Sequence, residues 1–478
     1  MVYYDIFMKL LRFFGFFTLA ASIIVISCTK QQYYEGSNPS LKFSSDTVSF
    51  DTVFSTIGSA TQRLMVYNPY DKILRISNIK LAGSNTSPFM LNIDGQPVNS
   101  LNNIEIYPKD SLYIFVQVLI NPTGQNLPLF IRDSILFTIN QNTQNVKLTA
   151  YGQDIHLIKT QTIKTQTWTA DKPYLIYGDV TVDTLETLTI AQGATIYFHK
   201  QSNLMVKGAL VAIGDLPTPI TFRGDRLETD YNDIPGQWGG IYLKPGSTNN
   251  RIDWVIIENG TNGLQLGEYE SPARPDLEIS NTIIKNMSYN GLFAINAKIK
   301  AVNCVIADAA MYSCGLVGGD YEFYHCTIAN YYGLYAGRNF SGATLKLSNY
   351  YMDSVTVVGK SLDKANFYNS IVYGNNLDEL SLDKKGSALF QYQFNHCLLK
   401  YKSFKDTTNN PLFDSVIWNK DPNFKFNPKT YLELDTLSPA KDAGSVSIGR
   451  QYPLDLKKVD RTTDLGPDLG AYERVEKK

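Results

Sequence analysis

The chain has 478 residues, which is enough for two or three domains. Its formal net charge is −1, with 44 Lys and Arg against 45 Asp and Glu, so no basic surface for nucleic acid is indicated. Aromatic residues make up 12% of the chain, with 31 Tyr against 4 His, a profile typical of β-rich exported proteins.

Residues 1–27 predict a signal peptide rather than part of the fold. Lys9 and Arg12 precede an apolar run that ends in the phrase Val25-Ile26-Ser27-Cys28. The phrase resembles the lipobox of bacterial lipoproteins, which implies lipidation at Cys28 and an outer-membrane location. The periplasmic side and the cell surface both stay open, and the run is short for a transmembrane anchor. Residues 28–40 predict a polar tether.

Residues 41–154 predict seven short strands separated by turn residues, a pattern that favours a β-sandwich. The predicted strands are 48–54, 62–67, 74–81, 89–93, 111–120, 131–140 and 146–151. The phrases Tyr67-Asn68-Pro69 and Leu148-Thr149-Ala150-Tyr151-Gly152 resemble immunoglobulin-like modules of the hydin class. That resemblance implies a spacer or an interaction surface.

Residues 155–401 carry recurring short strands, and from 252 onward these strands follow one phrase. Apolar and polar residues alternate in each copy, and a closing Asn, Asp or equivalent recurs every 20 to 27 residues. The copies are 252–259, 277–286, 299–308, 321–330, 345–354, 365–374 and 392–401. Such a period predicts stacked coils. The phrase resembles the rungs of right-handed parallel β-helices, so the predicted fold is all-β, an N-terminal β-sandwich followed by a β-helix.

Three columns of residues follow from aligning these copies. The inward column reads Ile252, Ile279, Ala301, Phe323, Leu347, Phe367 and Phe394, and the outward column reads Arg251, Glu278, Lys300, Glu322 and Lys346. Opposite charges on neighbouring strands stabilise a sheet, so these acids are interpreted as a charge ladder rather than as catalytic groups. The turn column reads Asn281, Asn303, Asn349 and Asn369, with His325 and His396 in the same position. Asparagine suits left-handed turns, and the two histidines are interpreted as turn residues, not metal ligands.

Cysteines and one acidic loop are the remaining candidates for special chemistry. Cys304 and Cys326 fall in neighbouring inward positions, where a disulfide and a pair of small buried thiols are both compatible with the spacing. The acidic loop 223–235 is compatible with solvated charge or with a calcium site. We predict no metal and no cofactor, because the spacings match no known ligand motif.

Residues 402–478 predict a C-terminal capping segment. The phrases Ser438-Pro439-Ala440-Lys441-Asp442-Ala443-Gly444 and Gly466-Pro467-Asp468-Leu469-Gly470-Ala471-Tyr472-Glu473 resemble the choice-of-anchor segment of bacterial surface β-helices. An open β-helix end exposes edge strands, so a segment that covers it has a physical purpose.

A group of tyrosines is the candidate binding site. Tyr324 and Tyr368 share an outward column in the predicted register, with Ser348 between them. The same rungs contain Tyr331, Tyr332, Tyr335, Tyr350 and Tyr351. Rigid aromatic rings with a polar tip suit the flat faces of sugar rings. The alternative is that these tyrosines only cover the strands beneath them.

Three functions are compatible with the sequence. The favoured one is a cell-envelope lipoprotein, held in the membrane by its lipid anchor, that presents a β-helix surface to a polysaccharide or an envelope protein without catalysis. A polysaccharide lyase or glycoside hydrolase is the first alternative, although hydrolases need two carboxylates about 5–10 Å apart and no such pair stands out. A structural or adhesive element of a surface complex is the second. The fold class alone does not choose between them.

Overall fold

The computed structural model describes residues 32–122, 124, 128–334, 342–404, 410–426 and 431–474. Cys28 and Tyr335 therefore lie outside the described residues. The chain forms two compact units that are divided between Asp154 and Ile155. Strands dominate both units, and the described residues include one short α-helix, Val446–Gln451. In the described part of the chain no helix has the length and apolar character needed to cross a membrane.

The first unit is a β-sandwich of two sheets. One sheet is antiparallel and contains, in spatial order, Lys42–Phe43, Gln62–Tyr67, Ser111–Val118 and Phe89–Ile93. The other contains Thr47–Phe54, Asn142–Gln153, Leu129–Ile139, Leu74–Leu81 and Ser100–Ile106, with its first two strands parallel. Alternate apolar residues of each strand point into the shared core, as in Ser111–Val118, where every second residue is buried. All seven strands predicted for this segment are present.

Two strands and one contact in this unit were not predicted. Ser100–Ile106 contains two successive asparagines, and Asn103 has a positive φ of 55°, so its alternation is interrupted. Lys42–Phe43 is too short to give a pattern. The residues expected to form a tether also pack against the unit: Tyr33 pairs with Ile73, and the ring of Tyr34 stacks 3.8 Å from that of Tyr70.

The second unit is a parallel β-helix in which each rung contributes strands to three stacks. Sheet 1 contains Gln166–Trp168, Thr187–Ile190, Ala209–Ile213, Asn250–Asp253, Asp276–Ser280, Lys298–Val302, Gly319–Tyr324, Leu362–Tyr368, Gln393–Asn395 and Phe413–Asp414. Sheet 2 contains Thr195–Phe198, Ile220–Gly224, Val255–Glu258, Ile283–Met287, Val305–Ala309, Thr327–Asn330, Ile371–Gly374, Leu398–Leu399 and Ile417–Trp418. Sheet 3 contains Asn203–Val206, Gly240–Leu243, Asn262–Leu266, Asn290–Ile295, Tyr312–Val317, Leu345–Ser348 and Leu380–Asp383.

The first rungs share one long strand, and the last rungs continue beyond residue 401. The strand Tyr174–Val182 pairs along its length with His156–Ile163. On its other side, its first part pairs with the first strand of sheet 2 and its last part with the first strand of sheet 3. Sheets 1 and 2 continue beyond 401, because Phe413–Asp414 and Ile417–Trp418 add one more pair of parallel strands.

The core of the β-helix is a ladder of inward side chains that stack from rung to rung. Phe323, Phe367, Phe394 and Phe413 form its clearest part, with successive ring centroids 4.9, 4.8 and 5.5 Å apart and nearly parallel planes. Offset aromatic stacking adds to the stabilisation from burial of these rings. This ladder extends the predicted inward column by one rung and passes from Phe323 directly to Phe367.

Leu347 is absent from this ladder, and the predicted position of the copy at 345–354 was wrong. Leu345–Ser348 lies in sheet 3, where it pairs with Tyr312–Val317 and with Leu380–Asp383. The error has a simple cause: Leu345-Lys346-Leu347-Ser348-Asn349 reads almost like the sheet 1 phrase Leu277-Glu278-Ile279-Ser280-Asn281. Alternation fixes which residues point inward, but it is the same in every sheet of a solenoid.

The turn between sheets 1 and 2 confirms the predicted turn column except for Asn349. Positive φ values between 47° and 54° occur at Asn281, Asn303, His325, Asn369 and His396. The amide of Asn303 donates to Oδ1 of Asn281 at 3.1 Å, so the column is linked along the axis of the β-helix. Asn349 follows the misplaced copy and lies instead after a sheet 3 strand.

Cys304, Cys314, Cys326 and Cys397 are all buried free thiols. The Cys304 and Cys326 side chains donate to backbone carbonyls, with Cys304 Sγ 3.3 Å from the oxygen of Val302 and Cys326 Sγ 3.4 Å from that of Tyr324. Burial raises the pKa of Cys397 to about 12, which keeps this thiol protonated. Of the two alternatives that the sequence left open for Cys304 and Cys326, the structure shows the pair of buried free thiols.

The C-terminal segment packs along the flank of the β-helix, over the outward face of sheet 2. That face is apolar, with Val305, Ala307, Ala329 and Ile371, and it is covered by a second set of residues from the segment. The covering residues are Phe424, Leu432, Leu434, Leu456, Leu469, Ala471 and Tyr472. The segment thus covers the side of several rungs, a role beyond the expected closure of one end.

One buried arginine, Arg461, links this segment to the β-helix. Nη1 of Arg461 lies 3.0 Å from Oε2 of Glu473, and both side chains are fully buried. Nη2 of the same arginine donates to Oδ1 of Asn303, a residue of the turn column, at 3.2 Å. Asp455 and Asp468 accept backbone N–H groups nearby, from Glu473 and Asp442 respectively.

Candidate functional site

The tyrosines singled out in the sequence lie in separate places. Tyr324 and Tyr368 stack directly on the outer face of sheet 1, with centroids 4.9 Å apart and no residue between them. Tyr331 meets Phe426 of the C-terminal segment edge to face at 4.8 Å, and Tyr332 is buried in a short 3₁₀ turn. Tyr350 and Tyr351 lie on the far side of the rung, in the hairpin formed by Tyr350–Asp353 and Thr356–Gly359.

Tyr350 and Tyr351 belong to the wall of an aromatic groove on the outer face of sheet 3. We call it the sheet 3 groove, and its volume is about 420 Å³. The described residues that line it are Gln265, Tyr269, Tyr289, Asn290, Phe293, Ile295, Met311, Tyr312, Val317, Lys346, Tyr350, Tyr351 and Met352. Six of them are aromatic. Tyr289 is 47% exposed and Tyr269 is 39% exposed, so several of these rings are open to a ligand.

The floor of the groove is a row of outward side chains at one position of four successive strands. In order along the axis these residues are Gln265, Phe293, Gly315 and Lys346. Neighbouring strands are about 4.8 Å apart, so the row spans roughly 14 Å. The floor therefore changes from an amide through an aromatic ring to a cation, and it is long enough for more than one sugar ring.

Two walls rise on either side of this floor. One wall comes from the turn between sheets 2 and 3, where Tyr289 and Met311 occupy successive rungs and Met311 N–H donates to the Tyr289 carbonyl. The other wall comes from the longer connections that lead back to sheet 1. There Tyr269 packs against Tyr351 with ring centroids 4.7 Å apart.

A polar network closes the end of the groove beside Lys346. The Tyr350 hydroxyl lies 2.8 Å from both carboxylate oxygens of Asp383. Lys346 Nζ lies 3.3 Å from Oδ2 of the same carboxylate and 5.4 Å from the centroid of the Tyr312 ring. Although burial opposes its charge, the neighbouring Tyr312 and Asp383 leave the pKa of Lys346 raised, so the ammonium stays protonated.

The groove has the composition of a binding site for flat, polar molecules. Exposed aromatic rings supply apolar faces, and Gln265 has a side-chain amide with no hydrogen-bond partner among the described residues. The described lining residues include no carboxylate.

The outer face of sheet 1 is occupied by paired charges. Arg251, Glu278, Lys300 and Glu322 are successive neighbours, which confirms four of the five predicted members of the ladder. Lys346 was wrongly included, because its strand belongs to sheet 3. On the next strand of sheet 1 the register neighbour of Glu322 is Asn366, and Nζ of Lys364, on the same strand, lies 3.3 Å from Glu322 and 3.1 Å from Asp320.

The acidic loop 223–235 consists of separate pairs. Asp225 Oδ2 lies 2.7 Å from Nδ1 of His199, and Arg226 contacts both carboxylate oxygens of Glu228. The Arg226 guanidinium also lies 3.8 Å from the centroid of the Tyr231 ring. Within the described ranges no group of three or more His, Cys, Asp or Glu side chains could hold a metal ion.

Sequence reasoning identified Tyr350 and Tyr351 and missed the other four aromatic residues of the groove. Tyr289 and Tyr312 carry no repeat signal, since each begins or precedes a strand in a variable turn. Phe293 gave a usable signal, because it is the outward aromatic in an alternating strand, where a polar residue is usual. Tyr269 lies in a connection whose path is not encoded in the repeat.

No protein-family model and no curated protein sequence matches this chain. Solved structures that are similar to parts of it include the following three. A family 123 glycoside hydrolase from Clostridium perfringens is 7% identical over 25% of this chain and 30% of its own, with a TM-score of 0.18. The PapD-like domain 7 of human CEP192 is 9% identical over 27% of this chain and 95% of its own, with a TM-score of 0.17.

The third structure is the catalytic unit of a GH87 alpha-1,3-glucanase from Streptomyces thermodiastaticus strain HF3-3. It is 9% identical over 74% of this chain and 87% of its own, with a TM-score of 0.23. The chain spans less than a third of the length of the first of these structures. At these TM-scores none of the likenesses carries an argument about activity.

Proposed function

We propose that this protein is a glycan-binding lipoprotein of the cell envelope and that the sheet 3 groove is its binding site. The observation that carries the proposal is the row of aromatic side chains around an open groove on a rigid β-helix. Sugar rings present flat apolar faces edged by hydroxyls, and such faces pack against tyrosine rings while the phenol and amide groups bond the hydroxyls. A solenoid also suits an extended polymer, because its surface repeats along one axis.

The proposed envelope arrangement rests on the N-terminal sequence. Lipidation at Cys28 would hold the chain in the outer membrane, and the β-sandwich, with its resemblance to hydin-class modules, would act as a spacer. The periplasmic side and the cell surface are both compatible with this arrangement. The C-terminal segment resembles a choice-of-anchor segment, and we assign it the role of covering the flank of sheet 2.

The proposal is tested with the full mature chain on a glycan array, followed by calorimetric titration of the glycans that bind. We expect the double variant Tyr289→Ala with Tyr351→Ala to lose binding while its melting temperature stays near that of the wild type. Tyr151→Ala is the matched control, because Tyr151 is also 47% exposed but belongs to the β-sandwich. Failure of the wild type to bind any glycan would refute the proposal.

The same titrations separate binding from catalysis. After prolonged incubation of each bound glycan with the protein, its chain length is measured by mass spectrometry. Unchanged chain length is expected for a binding protein. Shortened chains would support the alternative of a lyase or hydrolase, and an unsaturated terminal sugar would identify the lyase.

A further inference from the structure

Lys346 is the one charged side chain among the described residues that line the sheet 3 groove. From its position we infer that the groove selects glycans that carry an anionic group, a carboxylate or a sulfate ester, and that Lys346 is the residue that recognises it. This inference rests on the proposed glycan-binding function and adds the chemical class of the ligand.

The position of Lys346 is fixed by the β-helix. It lies on the floor, between Gly315 and Ser381 of the adjacent strands, and its side chain is 24% exposed. A partly buried ammonium bonds more strongly to an anion than an exposed one, because less water competes for it. Recognition at this position therefore has an energetic advantage over recognition by the exposed lysines elsewhere on the surface.

Asp383 orients Lys346 without using up its donors. The carboxylate already accepts the hydroxyl of Tyr350 at 2.8 Å, and its contact with the ammonium is a single one of 3.3 Å. An ammonium has three N–H donors, and a second one faces the Tyr312 hydroxyl, so one is left for a ligand that reaches the floor. The ion pair fixes the direction of the side chain and leaves its outer side available.

Two further cations lie beside tyrosines of the groove. Lys385 Nζ lies 4.6 Å from the centroid of the Tyr350 ring, and Lys360 Nζ lies 5.9 Å from that of Tyr351. Three ammonium groups thus lie beside tyrosine rings of the groove. The opposite end of the floor has the uncharged Gln265, so the groove has a direction: hydroxyls bond at Gln265, and the anionic group lies at Lys346.

The test compares three hexasaccharide-sized probes by calorimetric titration of the full mature chain. They are oligogalacturonate with carboxylates, a sulfated carrageenan oligosaccharide, and neutral cellohexaose. We expect at least one anionic probe to bind about tenfold more tightly than the neutral one, the advantage of one additional charged hydrogen bond. The preference between the two anionic probes identifies the group that is recognised.

Variants of Lys346 test whether this residue causes the preference for anionic probes. Lys346→Gln should bring the anionic probes down to the affinity of the neutral probe, and Lys346→Arg should retain most of the preference. Lys364→Gln is the matched control, since that lysine is also paired with carboxylates but lies on sheet 1. If Lys346→Gln does not fold, two other measurements decide whether Lys346 recognises the anionic group. The wild type should lose its preference for the anionic probes at 0.5 M NaCl, and Lys346→Arg should retain most of it.

The two proposals fail in different ways. Equal binding of anionic and neutral probes, with no effect of Lys346→Gln, would overturn the anion selectivity and leave the glycan-binding function standing. Anionic binding that is lost in Lys364→Gln instead would assign recognition to sheet 1 and would also overturn the inference. Absence of binding by every probe and on the array would overturn both.

Discussion

The ring of Phe293 lies directly over Gly315 on the floor of the sheet 3 groove. A Cβ atom placed on Gly315 would lie 2.6 Å from Cδ2 of Phe293, well inside van der Waals contact. The aromatic surface of the floor thus depends on the absence of a side chain one strand away. The backbone at Gly315 in one rung therefore determines where the Phe293 ring of the neighbouring rung can lie.

Gly315→Ala should displace the Phe293 ring and weaken glycan binding with little effect on folding. The φ of Gly315 is not positive, so alanine meets no backbone strain, and only the ring has to move. Titration of a bound glycan and the melting temperature are the two measurements. Gly58→Ala is the control, because no atom lies within 4 Å of its added Cβ. Unchanged affinity in Gly315→Ala would mean that the ligand does not touch this part of the floor.

Glu322→Lys should destabilise the β-helix by about 1 kcal/mol or less, because it replaces the one acidic member between Lys300 and Lys364 by a third cation. Glu322→Gln should be nearly neutral. Urea unfolding followed by tryptophan fluorescence measures the difference, since all four tryptophans, Trp168, Trp238, Trp254 and Trp418, lie in the β-helix unit. Equal stability of the two variants would show that the ladder contributes nothing.

Arg461→Met should be the most destabilising single substitution in the C-terminal segment. At about pH 9, where Asp468 and Glu473 are ionised, it leaves these buried carboxylates without their cation, and breaking a buried pair in this way costs about 3–5 kcal/mol. Adding Glu473→Gln to the same chain should recover part of the loss. Arg450→Met is the control, because Arg450 is exposed on the short helix. Urea unfolding of the four proteins gives the comparison.

The buried carboxyl groups of Asp468 and Glu473 beside Arg461 should make the β-helix unit less stable as the pH rises from about 5 to 9. Burial raises the pKa of Asp468 to about 7 and that of Glu473 to about 8, whereas both carboxyls titrate near pH 4 in the unfolded chain. The folded state thus holds protons that the unfolded state has released. The resulting contribution to the free energy of unfolding is complete below pH 4 and is lost as the pH rises through 7 and 8.

Free energies of unfolding at several pH values between 5 and 9 test this dependence. The double variant Asp468→Asn with Glu473→Gln should flatten the curve, because neither side chain can then titrate. A slope that survives in the double variant would place its origin in other groups.

Lipidation at Cys28 is the prediction with the most direct measurement. Mass spectrometry of the membrane-extracted protein should find a mature chain that begins at a diacylated Cys28. Cys28→Ala should leave the protein unprocessed or released from the membrane. A mature chain that begins at another residue would refute the lipoprotein assignment.

The sequence by itself determined most of the strands and the residues that they bury. Alternation along each strand is local, so the inward column from Ile252 to Phe323 and the strands of the β-sandwich could be predicted from residue order. The turn column was equally accessible, because a left-handed turn at one residue favours asparagine whatever surrounds it. Period and alternation together sufficed for the fold class.

Only the tertiary structure decided which sheet received an ambiguous strand and which residues met in space. Leu345–Ser348 fits sheet 1 and sheet 3 equally well by its pattern, and in the structure it pairs with sheet 3 strands on both sides. The sheet 3 groove depends on the paths of two separate connections, which contribute Tyr269 and Tyr351. The repeat specifies which side chains each rung buries. The connections between strands have no period, and their paths decide which residues meet on the outer surface.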